Sequence, residues 1–376
     1  MRWLLIVLAA TAAPAFTAQS QEATESTAVV ESPEVLSEGR VTFRLLAPKA
    51  TVVMVQGEWG RSRVPERVPM MPNNRGVWSV TVGPLPPAPY RYTFVVDGVV
   101  VVDPRNPSTV PGGASVQSMV VVPGPASDLS SEMPVAHGAV RAVWYQSAFG
   151  TTRRMHVYTP PGYDKSGESY PVLYLVHGAN GSDAQWSTIG RAGFILDNLL
   201  AAGRAKPMIV VMPDAHVPGA PTDRLPLSAD DDKFAGDFRR AIVPYVEKEL
   251  RVRKDARFRA IAGLSMGGAQ TLLIVLNQPR AFGYVGLFSA GWWPDDLATV
   301  ERRHRAVLDE PTAFAQMKLV WIGVGTDDRP AFPNTQELRS MLRRHGIEHT
   351  YRETDGDHTW INWRRYFNEF ASLLFR

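Results

Sequence analysis

From residue 137 to the C-terminus, short apolar runs of strand length alternate with longer segments of helical periodicity. The clearest strand-like runs are residues 172–176, 208–212, 258–262, 284–289 and 319–324. Helical patterns occupy residues 191–202, 233–250, 267–277 and 334–345. Continuous apolar strands that alternate with helices are typical of a parallel sheet covered by helices. The sequence therefore predicts an α/β domain with a mostly parallel central sheet at residues 137–376.

A different pattern precedes this domain, with short alternating apolar and polar runs separated by Gly and Pro. These runs predict strands at residues 40–46, 51–56, 76–82, 90–96, 99–102 and 117–122. Asp97-Gly98 lies between two of them and favours a tight hairpin, because a type I′ turn needs positive φ at both central residues. We expect a small all-β, immunoglobulin-like sandwich at residues 34–122 and a linker at residues 123–136.

The first residues have the pattern of a secretory signal peptide, with Arg2, an apolar run at residues 3–13 and small residues after it. We expect a signal peptide at residues 1–20 and a disordered polar stretch at residues 21–33. A membrane anchor is the alternative interpretation, but the run is shorter than the ~20 residues that a membrane-spanning helix needs. The sequence thus predicts a secreted or periplasmic protein without stable membrane insertion.

Composition excludes several classes of function. The 376 residues carry a net charge of only +3, and no block of like charges is long enough to follow a phosphate backbone, so we expect no nucleic-acid partner. The chain has no Cys, which excludes disulfides, a thiolate nucleophile and Cys-ligated metals. Any catalysis must therefore use oxygen and imidazole groups. The sequence does not predict the oligomeric state.

Gly263-Leu264-Ser265-Met266-Gly267 is a GxSxG motif between a predicted buried strand and a predicted helix. In that context the serine occupies a tight strand-to-helix turn, a nucleophile elbow, which exposes its hydroxyl at the carboxyl end of the sheet. The flanking glycines allow the close backbone approach that this turn requires. An ordinary serine in a Gly-rich turn is the alternative. We predict that Ser265 is a catalytic nucleophile.

A serine hydroxyl needs an imidazole base and an orienting carboxylate, which follow it in the order acid, then histidine, in this arrangement. Asp327 and Asp328 end the predicted strand 319–324, and His358 follows a further strand-like run at residues 349–354. We predict His358 as the base and one of the two aspartates as the acid. This mechanism needs no metal or cofactor.

The transition state of ester hydrolysis also needs hydrogen-bond donors for the oxyanion. We assign them to the backbone amides of Met266, directly after the serine, and of Ala179, in the loop after the predicted strand 172–176. His177 begins that loop. We interpret it as a buried histidine that bonds the loop rather than as a catalytic group.

Other acidic and aromatic residues allow two interpretations each. Asp214 follows a predicted strand but precedes the serine, against the usual order of the triad. Asp230-Asp231-Asp232 is interpreted as a solvated acidic turn rather than a cation site, because Ca²⁺ needs six or more converging oxygens. Four tryptophans are candidates for the wall of an aryl pocket or, equally, for core packing: Trp186, Trp292, Trp293 and Trp360.

Residues 137–376 resemble the esterase D type of α/β-hydrolase, also called carbohydrate esterase family one. The motifs that carry the resemblance are Val157-Tyr158-Thr159-Pro160-Pro161-Gly162-Tyr163, Tyr170 to Gly178, Ile261 to Gly268 and Gly356-Asp357-His358-Thr359-Trp360. The group holds feruloyl esterases, acetyl xylan esterases, enterochelin-esterase-like enzymes and mycolyltransferases. The resemblance implies an α/β-hydrolase fold with Ser265 as nucleophile, His358 as base and Asp328 as acid, with the adjacent Asp327 as the alternative acid.

The front module resembles the early-set, immunoglobulin-like modules related to glycogen-binding domains that often precede such esterases. Val41 to Pro48 and Tyr90 to Gly98, followed by Asp103-Pro104, carry this resemblance. Trp59 and Trp78 are candidates for stacking on a pyranose ring. A structural spacer packed on the second domain is the alternative.

Together these resemblances imply a secreted serine ester hydrolase that releases feruloyl, other hydroxycinnamoyl or acetyl groups from plant polysaccharide. One alternative is a periplasmic esterase for a catecholate siderophore such as enterochelin. Others are an acyltransferase of the same fold and a carbohydrate-binding protein with a vestigial hydrolase domain.

Overall fold

A computed structural model describes residues 30–59, 65–111, 115–125, 129–220, 226–228, 230–291, 294–310 and 312–376. The predicted signal peptide and most of the polar stretch after it lie outside these residues. None of the helices within the described ranges combines the length and the apolar character needed to cross a membrane.

In the described part of the N-terminal module there are ten short strands. They are β1 (Glu34–Val35), β2 (Val41–Leu46), β3 (Val53–Gly57), β4 (Arg67–Pro69), β5 (Met71–Pro72), β6 (Val77–Val82), β7 (Ala88–Val96), β8 (Val99–Val101), β9 (Thr109–Pro111) and β10 (Val116–Val122). One sheet has the order β1-β2-β6-β5, and the other has the order β4-β3-β7-β10-β9 with β8 paired to β7. Asp97 and Gly98 turn the chain between β7 and β8 with φ of 47° and 87°, as the hairpin prediction requires. The two antiparallel sheets form the expected sandwich.

The two tryptophans proposed for sugar stacking lie inside this sandwich. Trp59 is 2% exposed and Trp78 is 8% exposed, and both pack in the core with Phe43 and Tyr92. The Trp59 ring centroid is 5.7 Å from that of Phe43. A pyranose ring cannot stack on a tryptophan ring whose faces are already covered by other side chains. Trp78 occupies an inward-facing position of β6, and Trp59 follows the end of β3 by two residues and folds its ring into the core. Core packing is therefore the role of both residues.

We expect Trp59→Ala to lower the free energy of unfolding by about 3–5 kcal/mol, because the substitution leaves a ring-sized cavity in the sandwich core. Urea denaturation measures this loss. Val99→Ala is the control, since Val99 is 63% exposed on β8 and its truncation should cost within about 0.5 kcal/mol. A fully stable Trp59→Ala protein that has lost affinity for polysaccharide would contradict this structural role.

Among the described residues of the C-terminal domain, eight strands form one sheet. They are β11 (Ala139–Gln146), β12 (Thr152–Thr159), β13 (Val172–Val176), β14 (Ile209–Pro213), β15 (Arg259–Leu264), β16 (Tyr284–Phe288), β17 (Leu319–Gly325) and β18 (Thr350–Thr354). The order across the sheet is β11-β12-β14-β13-β15-β16-β17-β18. Strand β12 is antiparallel to both of its neighbours, and the six strands β13 to β18 are mutually parallel. The mostly parallel sheet is confirmed, with an antiparallel edge pair that the sequence patterns did not reveal.

The helices of this domain are α1 (Ala192–Ala201), α2 (Lys233–Asp237), α3 (Val243–Glu249), α4 (Met266–Asn277), α5 (Pro294–Arg303), α6 (Arg305–Leu308), α7 (Phe332–Arg344) and α8 (Trp360–Leu373). The single helix predicted at residues 233–250 is wrong in one respect. A π-helical turn at Phe238–Ile242 separates α2 from α3. Pro244 stands at the start of α3 and has no N–H for an i→i−4 bond, so the regular α-helical hydrogen-bond pattern is interrupted here.

Helices cover both faces of the sheet. Leu196 in α1 and Phe367 in α8 pack with strand residues on one face. Phe234 in α2, Leu273 in α4 and Leu338 in α7 pack on the opposite face. This doubly covered sheet is the predicted α/β-hydrolase architecture, and it buries continuous apolar strands such as β13.

The sandwich is packed directly on helix α8. The Arg364 side chain of α8 is 2% exposed; it donates to Ile189 O at 2.8 Å and to Pro89 O of the sandwich at 3.3 Å. Burial lowers the pKa of Arg364 to about 9. Val110 of the sandwich joins the apolar cluster of the second domain. The two modules therefore share a buried interface at the helix that follows His358.

Candidate active site

Ser265 occupies the turn between β15 and α4. Its φ and ψ are 52° and −119°, a backbone conformation that side-chain-bearing residues rarely adopt. The backbone N–H of Ser265 donates to Phe288 O at 2.8 Å, which holds the turn against the next strand. A Cβ on Gly263 would lie 2.2 Å from Gly267 O, and one on Gly267 would lie 2.3 Å from His177 O. The motif glycines are therefore required by close backbone contacts, and the structure has the predicted strand–serine–helix turn.

The other two predicted residues lie next to Ser265. His358 Nε2 is 3.0 Å from Ser265 Oγ, and His358 Nδ1 is 3.0 Å from each carboxylate oxygen of Asp328. Asp328 is fully buried, and its Oδ1 also accepts the N–H of Ala331 at 3.1 Å. Asp327 is exposed. Of the two aspartates between which the sequence did not decide, the structure brings Asp328 against the imidazole.

The topology explains how residues so far apart in sequence meet. Ser265 follows β15, Asp328 follows β17 and His358 follows β18. These strands are parallel and lie within one continuous stretch of the sheet. Their carboxyl ends therefore meet at the same edge, where open α/β sheets place their sites. A proton on Ser265 Oγ has a direct path to His358 Nε2 in this arrangement.

Two residues that sequence reasoning missed hold the His358 loop in place. The rings of Trp363 and His358 meet edge to face with centroids 4.9 Å apart. Trp363 Nε1 donates to Ser289 Oγ at 3.2 Å, and Asn362 Nδ2 donates to Asp357 O at 3.0 Å. Both residues lie in the first turn of α8, four and five positions after His358. The sequence analysis predicted no helix after His358. A helix that starts at Trp360 would have indicated that its first turn lies next to the His358 loop.

The loop predicted to hold an oxyanion donor lies directly against the serine. A Cβ on Gly178 would be 3.4 Å from Ser265 Cβ, and Ala179 and Met266 line the same cavity as Ser265. His177 is 1% exposed; its ring contacts Gly178 O at 2.7 Å and accepts the N–H of Ala215 at 2.9 Å. His177 thus bonds the loop, in agreement with the interpretation from sequence.

Asp214 contacts the residues that hold this loop and does not contact Ser265 or His358. Its Oδ1 lies 3.1 Å from His177 Nε2 and accepts the N–H of His216 at 2.9 Å. Burial raises the pKa of Asp214, but the hydrogen bonds and charge of its neighbours outweigh burial, so the pKa is lowered overall. Asp214 therefore does not compete with Asp328 for His358.

A cavity of about 1060 Å³ opens over Ser265. Its wall includes Ala179, Ser265, Met266, Gln270, Ser289 and His358. Its volume is slightly above the usual range for small-molecule sites, about 300–1000 Å³. The site therefore has room for an ester that carries bulky groups.

The aryl wall predicted from four tryptophans is corrected for two of them. Trp186 and Trp360 are 1% and 4% exposed and pack against each other in the core, with ring centroids 5.1 Å apart. Trp186 Nε1 donates to Val176 O at 3.1 Å, which holds the ring under the sheet edge instead of in the cavity. Trp292 and Trp293 lie outside the described residues.

The acidic turn before α2 is solvated at Asp230 and Asp231, as the sequence predicted, but the prediction is wrong for Asp232, which is buried. Asp231 is exposed and pairs with Arg303 at 2.7 Å. Asp232 is 5% exposed and caps α2, because its Oδ1 accepts the N–H of Phe234 at 2.8 Å. Within the described ranges, no three His, Asp or Glu side chains converge as a metal site would require.

Burial raises the pKa of Asp232 to about 6, although the N–H groups of Phe234 and Ala235 and the Gln270 side chain act in the opposite direction. A carboxyl group whose pKa is higher in the folded than in the unfolded state lowers stability once it ionises. The folded protein thus loses stability as the pH rises from about 4 through 6.

We expect Asp232→Asn to raise the free energy of unfolding at pH 8 by up to about 3 kcal/mol, because the amide keeps the cap without the buried charge. The gain should shrink between pH 6 and 4 and vanish below that. Urea unfolding at pH 4, 6 and 8 measures it, with the exposed Asp230→Asn as the control for the charge change. A gain that is independent of pH would refute the assignment of the effect to the buried carboxylate.

Comparison with known proteins agrees with this architecture. Residues 146–372 match the family model Esterase, described as "Putative esterase", and residues 30–105 match Carbohydrate-binding module 48, the isoamylase N-terminal domain. The endo-1,4-beta-xylanase/feruloyl esterase of Xylanibacter ruminicola is 32% identical over 361 residues, which cover 92% of this chain and 46% of that protein. The chain thus spans about half the length of this relative.

Solved structures are similar across one or both modules. A CE1 ferulic acid esterase of Anaeromyces mucronatus in complex with ferulic acid is 25% identical with a TM-score of 0.57, over 73% of this chain and 98% of that one. The enterobactin esterase of Shigella flexneri has the same fold, with 19% identity and a TM-score of 0.65 over 89% of this chain and 92% of that one. With the family model covering more than half of its residues, the chain belongs to the esterase family, a family of carboxylic ester hydrolases.

Proposed function

We propose that the protein is a serine ester hydrolase that releases hydroxycinnamoyl groups, feruloyl above all, from plant cell-wall polysaccharide. The contact chain from Asp328 through His358 to Ser265 carries the hydrolytic part of this proposal, since each link is at hydrogen-bond distance. The similarity over 92% of the chain to a protein named xylanase/feruloyl esterase supports the choice of acyl group.

In the first half of the reaction, His358 Nε2 takes the proton of Ser265 Oγ while that oxygen attacks the ester carbonyl carbon. The amides of Ala179 and Met266 stabilise the oxyanion of the tetrahedral intermediate. His358 then gives its proton to the alcohol oxygen as the C–O bond breaks. The sugar hydroxyl leaves and the acyl group stays on Ser265.

In the second half, a water molecule replaces the alcohol. His358 takes one proton of the water while the water oxygen attacks the acyl carbon. It then returns that proton to Ser265 Oγ as the carboxylic acid product leaves. Asp328 holds the imidazole in the required tautomer and stabilises its positive charge. One water is consumed and no redox step occurs.

The N-terminal sequence supports a proposal for the place of action. The apolar run at residues 3–13 supports export, and polysaccharide substrates lie outside the cytoplasm. We therefore place the protein in the periplasm or outside the cell.

A panel of esters tests the proposed function. Purified protein should hydrolyse methyl ferulate and feruloylated arabinoxylan with kcat/KM values at least tenfold above those for enterobactin. Turnover of enterobactin with none of ferulates would replace the proposal with a siderophore esterase, and transfer of the acyl group to sugar without release of free acid would replace it with an acyltransferase.

A further inference from the structure

Arg364 is a buried cation at the junction of the two modules. Its guanidinium donates to Ile189 O and to Pro89 O, and no carboxylate within the described ranges pairs with it. A buried charge without a counter-charge costs folding free energy. Pro89 belongs to β7 of the sandwich, and Ile189 lies in the segment between β13 and α1. One side chain therefore connects the sandwich, helix α8 and this segment.

The segment that Arg364 holds follows the loop with the proposed oxyanion donor. Trp186 lies three residues before Ile189, and its Nε1 donates to Val176 O, at the end of β13. The Trp186 ring packs on the Trp360 ring of α8. Trp360 and Arg364 are four residues apart and so lie on the same face of the helix. This face of α8 therefore holds the chain next to the oxyanion loop.

The same helix holds the predicted catalytic base. Helix α8 begins two residues after His358, and Asn362 and Trp363 in its first turn contact Asp357 and the His358 ring. A displacement of α8 would therefore move the imidazole relative to Ser265 Oγ, which lies 3.0 Å from Nε2. The position of α8 thus sets a distance on which proton transfer depends.

Further contacts join the sandwich to both of these parts. Ile361 of α8 packs on the apolar core of the sandwich. Val110 of β9 belongs to the apolar cluster that includes the tryptophans of α8. Ser182 Oγ donates to Pro111 O of the sandwich at 3.3 Å, and Ser182 lies three residues after Ala179. The sandwich therefore contacts the loop of the proposed oxyanion donor as well as the helix that holds the base.

We propose that the sandwich is a positioning element of the active site, and that Arg364 is the positioning residue that fixes α8 against the segment after the oxyanion loop. This inference rests on the proposed function, because it concerns the geometry of Ser265 and His358. A misplacement of catalytic groups by about 1 Å can lower a rate up to about 10²-fold. The sandwich should therefore affect the hydrolysis of small soluble esters, which have no polysaccharide for it to bind.

Arg364→Met tests the positioning role, because methionine keeps an apolar side chain and removes the donors to both carbonyls. The kcat for methyl ferulate and for p-nitrophenyl acetate should fall at least about tenfold, while KM stays within about threefold. Arg364→Lys keeps a donor for one carbonyl and should recover part of the rate. Arg344→Met is the control, since it removes the same charge from an exposed ion pair on α7 and should retain kcat within about twofold.

A second pair of variants separates positioning from stability. Val110→Ala removes two methyl groups at the junction, and Val55→Ala removes the same groups inside the sandwich core. Both valines are buried, so both variants should lower the melting temperature. Only Val110→Ala should lower kcat for the two small esters, by about threefold, when rates are measured well below the melting transition. This pair decides the question if Arg364→Met does not fold.

The possible outcomes separate this inference from the proposed function. Unchanged kcat in Arg364→Met, or equal losses in Val110→Ala and Val55→Ala, would refute the positioning role while ester hydrolysis stands. A loss confined to feruloylated arabinoxylan would refute it as well, since the sandwich would then serve substrate binding alone. If wild-type protein hydrolyses neither small ester, the proposed function fails and this inference fails with it.

Discussion

Ser265→Ala is expected to lower kcat/KM for methyl ferulate by about 10⁴–10⁶-fold, because the substitution removes the oxygen that forms the acyl-enzyme. The residual rate reflects oxyanion stabilisation and binding alone. The stability of the variant should change little, since alanine fits the same turn with one atom less. Initial rates with methyl ferulate and p-nitrophenyl acetate measure the loss.

Ser289→Ala is the matched control for this experiment. Ser289 also lines the cavity, but its hydroxyl accepts the Trp363 N–H instead of contacting His358. Loss of that acceptor should lower kcat/KM for methyl ferulate by about tenfold or less. Retention of activity in Ser265→Ala, or an equal loss in Ser289→Ala, would reject Ser265 as the nucleophile.

Asp328→Asn is expected to lower kcat about 10⁴-fold with little change in KM. The amide turns a donor towards His358 Nδ1, so the ring adopts the other tautomer and presents an Nε2–H to the serine instead of a base. Because Asp328 is fully buried and asparagine has the same shape, the loss is chemical rather than structural.

Asp327→Asn carries the same charge change one residue away, at an exposed position. It should retain kcat within about threefold. A larger loss in Asp327→Asn than in Asp328→Asn would reverse the assignment of the acid, and equal small losses would remove the carboxylate from the mechanism.

Local signals predicted the parts of the site that sit on turns. Ser265 lies between an apolar strand and a helix, and the motif glycines make close backbone contacts in the same turn. The turn at Ser265 was therefore predictable from the motif and the residues next to it. Asp328 and His358 follow strands with clear apolar runs. The choice between Asp327 and Asp328 needed the structure, since adjacent residues of one turn differ only in the direction of their side chains.

Features that depend on distant contacts were not accessible from sequence. Helix α8 is rich in aromatic residues that bury against the sheet, and its helical state is decided by that packing more than by propensity. From the sequence, Trp186 and Trp360 were equally candidates for a pocket wall and for core packing, and the choice depended on a contact between rings that are 174 positions apart in the chain. The approach of Asp232 to Gln270 is of the same kind.

Fluorophosphonate labelling followed by peptide mapping tests the central claim most directly, because such probes react with a serine oxygen only where a base activates it. Folded wild-type protein is expected to gain one label per chain, on the peptide that contains Ser265, and to lose labelling when it is unfolded in urea or carries His358→Ala. A folded, active enzyme whose label maps to a different serine, or that takes up no label, would contradict the account.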